Sequence, residues 1–195
     1  MSAGFPDLPA FPPFPLEESE RIYDSPWCGL RRDLLRLPGG ELQEYHVFEI
    51  SPAVCVVPVL LDGSLAMLWQ HRHPHGRTHW EIPAGRMHTG EDPADAARRE
   101  LREETGLAPE RVERLAGFYP TNGISAHYAH VFVAYGCKPA GAQELDVTER
   151  LSVHAVPEAA VRERLLAGGF EDAFTSLGLF YYFFHSLSEA ATAAR

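Results

Sequence analysis

Hydrophobic and polar positions change rhythm several times along this chain. Between residues 22 and 68 the apolar residues fall in short runs bounded by turn formers, a pattern of strands. Segments 30–37 and 41–50 flank Pro38-Gly39-Gly40, a hairpin signal. Residues 53–61 are almost continuously apolar, as expected of a strand buried on both faces, and Asp62-Gly63 turns the chain into another strand at 64–70. A loop rich in His and Arg leads to Trp80-Glu81-Ile82 and the breaker Pro83-Ala84-Gly85. Residues 92–105 read as a helix, with Pro93 in the first turn, small residues after it and Gly106 to stop it. Strands are expected near 112–119, 127–135 and 151–156, a polar loop at 138–149 separating the last two. Helices at 157–167 and 172–190 close the chain. On the second, Phe174, Leu177, Tyr181, Phe184 and Leu187 recur at helical spacing, a stripe expected to meet the core or a dimer partner. The expected class is α+β: a mixed β-sheet sandwiched between α-helices, with a small N-terminal β-sheet region.

The 195 residues suit one domain with a small N-terminal addition. We read a proline-rich arm at 1–19, a strand region at 20–51 and the main domain at 52–195. Residues 1–16 hold five prolines and three phenylalanines, an extended arm. At 45% hydrophobic and 23% charged the composition is globular. No apolar run is long enough for a membrane span, and the first twenty residues lack the basic start of a signal peptide. Three cysteines without paired spacing argue against a disulfide framework or zinc ribbon and for a cytoplasmic location. A net charge of −10 disfavours nucleic acid and membrane surfaces as partners. Lys138 is the only lysine among 17 basic residues, and arginine suits bidentate recognition of phosphate.

The informative segment is 85–107. On its helix Glu100, Glu103 and Glu104 stand at i, i+3 and i+4 and project from one face. Like charges at that spacing repel, and a divalent cation would reverse the repulsion. The plainer reading is a solvated face with an ordinary Arg99–Glu103 pair. The whole segment resembles the Nudix box, G-x5-E-x7-R-E-U-x-E-E-x-G-U with U a bulky aliphatic. Gly85, Glu91, Arg99, Glu100, Leu101, Glu103, Glu104, Gly106 and Leu107 occupy every fixed position. The resemblance implies the Nudix fold and a hydrolase that cleaves a diphosphate linked to another moiety with the help of magnesium or manganese (Mg²⁺ or Mn²⁺). It implies Glu100 and Glu104 as principal metal ligands, with Glu103 and the Ala84 carbonyl adding to the site. Arg99 would orient the carboxylates.

Outside the box, most of residues 20–187 is similar to the ADP-ribose pyrophosphatase group. The likeness rests on Asp24-Ser25-Pro26-Trp27 with Leu30-Arg31-Arg32-Asp33, on Gln70-His71-Arg72 before Pro74-His75-Gly76, on Trp80 to Gly85, and on Thr148-Glu149-Arg150-Leu151. It implies a homodimer, possible exchange of N-terminal strands, and a nucleoside diphosphate sugar as substrate. Arg72 is then expected to contact phosphate, Glu81 to contact substrate or anchor its loop, and Trp27 to stack on a base or sit half-buried. Glu149 is expected to bind metal or position the attacking water; Glu144 and Asp146 in the same loop fit that role too. One departure bears on the substrate: Pro120-Thr121-Asn122-Gly123 stands where the group carries Pro-Ser-Pro-Gly. FAD, NADH and GDP-sugars therefore stay open, as does a non-catalytic module that binds a nucleotide sugar. His71, His73 and His75 would share one face of an extended segment, with His79 following; imidazoles suit transition metals, but no cysteine pair supports a zinc site.

Overall fold

The computed structural model describes residues 4–193, with side chains described as far as Ser186. Two compact units divide it: residues 4–50 with 123–125, and residues 51–122 with 126–193.

The first unit is an antiparallel three-stranded sheet, β1 (Leu16–Asp24), β2 (Gly29–Arg36) and β3 (Leu42–Glu49), in that order. The Pro38-Gly39-Gly40 turn joins β2 to β3, and Gly40 adopts φ 94, where a side chain would be strained. Strand pairing begins at Leu16, inside the stretch read as the arm. Its sequence, LEESERIYD, is exposed at every position and carries no apolar alternation to betray a strand. Ion pairs hold the sheet instead: Arg31 reaches both Asp33 and Glu49, and Arg21 also reaches Glu49. Residues 123–125 belong here because Phe48 N–H donates to the Ile124 carbonyl and the Tyr45 hydroxyl to that of Gly123.

The second unit is built around β4 (Ala53–Leu60), whose first six residues are buried. Successive side chains of a strand point to opposite faces. Val54 and Val56 pack with Ala96, Ala97 and Leu101 of helix α1 (Pro93–Thr105). Cys55 and Val57 pack with Val161 and Leu165 of α2 (Glu158–Leu166) and Leu179, Tyr182 and Phe183 of α3 (Ala173–Ala193). The eight-stranded mixed sheet also contains β5 (Leu65–Arg72), β6 (Arg77–Glu81), β7 (Ala84–Arg86), β8 (Leu107–Ala108), β9 (Arg111–Phe118), β10 (Ala129–Pro139) and β11 (Leu151–Val156). Its main order is β11-β5-β4-β10-β8; β10 runs parallel to β4, β6 pairs with β5, β7 with β4 and β9 with β10. The two shortest strands, β7 and β8, were not expected, since each is a few residues drawn into a ladder by a long neighbour.

The stripe expected on α3 to meet the core or a dimer partner enters the core only in part. Phe174 and Leu177 are partly buried, but Tyr181 and Phe184 are 37% and 77% exposed. The buried face is Thr175, Gly178, Leu179, Tyr182 and Phe183, one residue round the helix. Residues 177–184 contain no charged side chain, so periodicity could not choose between faces; Leu187 lies outside the described side chains. Leu179→Ala should therefore cost about 2–5 kcal/mol in urea denaturation, whereas Phe184→Ala should change stability by no more than about 0.5 kcal/mol.

Candidate active site

Helix α1 starts where the Asp92 carboxylate accepts hydrogen bonds from the backbone N–H groups of Ala94 and Asp95, and ends at Gly106, φ 70. Its buried face alternates apolar residues with two carboxylates: Ala96, Ala97 and Leu101 enter the core, and Glu100 and Glu104 go in beside them, 8% and 2% exposed. The carboxyl group of Glu100 lies over Gly85. A Cβ at position 85 would stand 2.1–2.2 Å from it, so any side chain there would push the carboxyl out of this place. Glu104 accepts the Ala84 N–H at 2.9 Å. Burial raises the Glu104 pKa well above the ordinary carboxylate value, and the charges of Glu100 and Glu149 push it further, against the Ala84 hydrogen bond and the more distant Arg72. Burial raises Glu100 as well, opposed by Arg99.

Arg99 uses all five of its donors. Nε and Nη2 grip the two oxygens of Glu91 at 2.8 and 2.9 Å, Nη1 donates to Glu100 at 2.7 Å and Glu103 at 3.0 Å, and Nη2 also reaches the Arg86 carbonyl at 3.0 Å. The Glu91 carboxylate also accepts the His88 N–H, and the Arg99 hydrogen bond holds its pKa down at about 2. Arg99 thus ties the loop after β7 to the helix. Glu91 is a motif position to which the sequence alone attached no role.

The loop before β11 crosses the end of α1. Gln143 donates to the Glu104 carbonyl and Glu144 N–H to that of Glu103. Within the loop Asp146 N–H donates to the Glu149 side chain and Glu149 N–H to the Asp146 carbonyl. The Glu149 charge is felt at both Glu100 and Glu104. Glu144 turns to Arg102 at 3.8 Å and is largely exposed. At the end of β5, Arg72 forks onto the buried Glu81 of β6, with Nε 2.9 Å from Oε1 and Nη2 2.5 Å from Oε2. Trp27 lies in the first unit, 64% exposed rather than half-buried. The histidines do not share one extended segment: His71 stands in β5 and His79 in β6, and His73–His75 form a 3₁₀ turn around Pro74, closed by Gly76 at φ 59. His71 turns to Thr78 and His79 to Glu81.

Glu100, Glu104, Ala84, Glu103, Arg99 and, through its charge, Glu149 are thus brought to one neighbourhood. Among the described residues no three His, Cys, Asp or Glu side chains stand ready to hold a metal ion; Glu103 is drawn to Arg99, leaving Glu100 and Glu104. That buried pair, each raised in pKa partly by a carboxylate neighbour, suits a hard divalent cation, which takes one or two carboxylates and completes its shell with waters and substrate phosphates.

The sequence matches the NUDIX domain over residues 50–172 and the nucleoside diphosphate sugar hydrolase N-terminal domain over residues 16–48. The chain belongs to the Nudix family and is a hydrolase of that family. It is 33% identical over 163 residues to an ADP-ribose pyrophosphatase of Mycobacterium tuberculosis, covering 83% of this chain and 79% of that protein. A second ADP-ribose pyrophosphatase, from Bacillus subtilis, is 35% identical over 115 residues, 59% of this chain and 62% of its relative. The crystal structure of an ADP compounds hydrolase superposes with a TM-score of 0.81 at 20% identity, covering 93% of this chain and 98% of that one, which shows the shared fold.

Glu104→Gln keeps an acceptor for Ala84 N–H and removes the buried charge. A carboxyl whose folded pKa is raised contributes stability below its unfolded value and loses it as pH rises through the folded one. The metal-free variant should therefore melt above the wild type at pH 8, by about 2–4 °C if the charge costs ~1 kcal/mol. The two melting temperatures should converge at pH 4, as calorimetry would register.

Proposed function

We propose that this protein is a pyrophosphohydrolase that cleaves the diphosphate of a nucleoside diphosphate sugar of the ADP-ribose kind, releasing a nucleoside monophosphate and a sugar phosphate. The observation that carries this reading is the buried Glu100–Glu104 pair against the Gly85 backbone, with the charge of Glu149 felt at both. Such a pair is costly without a counter-charge, and a substrate diphosphate brings its own need for cations. Glu100, Glu104 and the Ala84 carbonyl would hold Mg²⁺ or Mn²⁺, with Glu103 beside them. The cation, when bound, neutralises phosphate charge and lowers the pKa of a water.

The other tasks fall to side chains. Arg99 keeps Glu100 and Glu103 in place through its fork on Glu91. Glu149 positions the attacking water and takes its proton; the charge it exerts on Glu100 and Glu104 favours it over Glu144, which is turned toward Arg102. Water then attacks one phosphorus, the bridging P–O bond breaks, and the leaving phosphate carries away the electron pair. Arg72 contacts a substrate phosphate through the donors that Glu81 leaves free. Trp27, 64% exposed, is assigned to stack on a base. We assign residues 1–19 to an arm that gives way to strand at Leu16, 20–51 to a strand region and 52–195 to the catalytic domain. A homodimer is supported by the exposed Leu16, Ile22, Tyr23, Leu42 and Tyr45 of the N-terminal sheet. Among the described residues no helix is long and apolar enough to cross a membrane, and free Cys28, Cys55 and Cys137 suit the reducing cytoplasm.

Phosphate-coupled hydrolysis of ADP-ribose, ADP-glucose, GDP-mannose, FAD and NADH, with Mg²⁺ and with Mn²⁺, tests the reading. Turnover should be highest on ADP-ribose or another ADP-sugar and should fall at least about 100-fold in Glu104→Gln with an unchanged circular dichroism spectrum. Preference for FAD or NADH would move specificity to the Asn122 loop; silence on every substrate would overturn the assignment.

A further inference from the structure

The Arg72–Glu81 pair has a geometry of its own. Antiparallel pairing of β5 and β6 sets Arg72 opposite Arg77, Gln70 opposite His79 and Leu68 opposite Glu81. Residues alternate in direction along each strand, so Gln70, Arg72, His79 and Glu81 share a face, and Arg72 reaches diagonally along it to Glu81. Glu81 is 3% exposed, too deep to meet a substrate, and Arg72 is 37% exposed at its side chain. The contact is side-on: Nε and Nη2 of the guanidinium face the two carboxylate oxygens. His79 Nε2 stands 3.5 Å from Glu81 Oε1, so the carboxylate is approached from two sides. Arg72 also lies within electrostatic reach of Glu104 and of Asp172, which caps the start of α3.

A guanidinium has five N–H donors in a rigid plane. With the Nε side spent on Glu81, the end-on edge formed by Nη1 and the second Nη2 hydrogen has no partner among the described residues. That edge is a second fork, spaced for two oxygens of one phosphate. A lysine, or an arginine free to swing, would carry the charge without fixing the direction.

Resting on the pyrophosphohydrolase reading, we propose that Glu81 is a positioning residue. It never touches substrate; it locks the plane of Arg72 so that the free edge points at a phosphate of the diphosphate. The two residues then act as one unit, and a unit has a signature: removing either member costs the same binding, and removing both costs no more.

A double-mutant cycle of wild type, Glu81→Gln, Arg72→Ala and the double variant reads this out. Two quantities are measured, KM and kcat for the hydrolysed substrate, and Kd for inorganic pyrophosphate on the Mg²⁺-loaded protein by calorimetry. Each single variant should raise KM and Kd by about tenfold, the share of one charge-assisted hydrogen-bonded contact, with kcat changed by less than about threefold. The double variant should match Arg72→Ala. Full multiplication of the two losses would assign Glu81 a separate role, and unchanged KM and Kd with a lowered melting temperature would make the pair purely structural; either result overturns the proposal. Should Glu81→Gln fail to fold, Arg72→Lys takes its place: a tenfold loss supports the locked fork, and wild-type KM and Kd refute it. The pyrophosphate Kd does not depend on turnover, so an inactive wild type would sink the functional reading while this cycle still reports on Glu81.

Discussion

Two carboxylates are carried into the interior by the helical period that buries their neighbours. Glu100 and Glu104 share the face of α1 that sends Ala97 and Leu101 against β4, so neither can leave without unpacking the helix. The rest of the region answers to that constraint. Position 85 has no side chain where the Glu100 carboxyl occupies the space, and the Ala84 N–H donates to Glu104. Arg99 sits where one planar cation can hold three carboxylates and a carbonyl together. The arrangement gathers like charge in a buried place, which a bound cation would offset, a division of stability against function that hydrolytic sites commonly show.

The two arginines illustrate how one side chain serves opposite ends. Arg99 is saturated and inward: it is a joint between loop and helix and has nothing left to offer a ligand. Arg72 is half-spent, with a buried carboxylate on one edge and solvent beside the other. Both need the planar fork, which explains why lysine would serve at neither position.

Much of this was legible in the sequence, for reasons that can be named. The unbroken apolar run of β4 announced burial on both faces, and α1 was bounded to a residue because Asp92, Pro93 and Gly106 are strong punctuation. The three glutamates were visible by spacing, and the box added Glu91 and Gly85. What escaped had no local signal. β1 is exposed throughout and lacks apolar alternation, β7 and β8 exist only through their neighbours, and α3 is apolar on too many sides to reveal its inner face. The partner of Arg72 required the register of β5 on β6, and where Glu144 turns required the path of a loop whose contacts are mostly to backbone.

The small loop at residues 123–125 gives the N-terminal sheet a claim on the middle of the chain. Phe48 and Tyr45 are bonded to its carbonyls, so three residues between β9 and β10 are spent on a sheet formed some eighty positions earlier. The chain is therefore not modular in the way its order suggests. A shortened version beginning at Ser51 would keep every box residue yet inherit a connector cut to fit a missing piece, its carbonyls bare. Transplanting either half into another scaffold would have to carry that connector along with the strands.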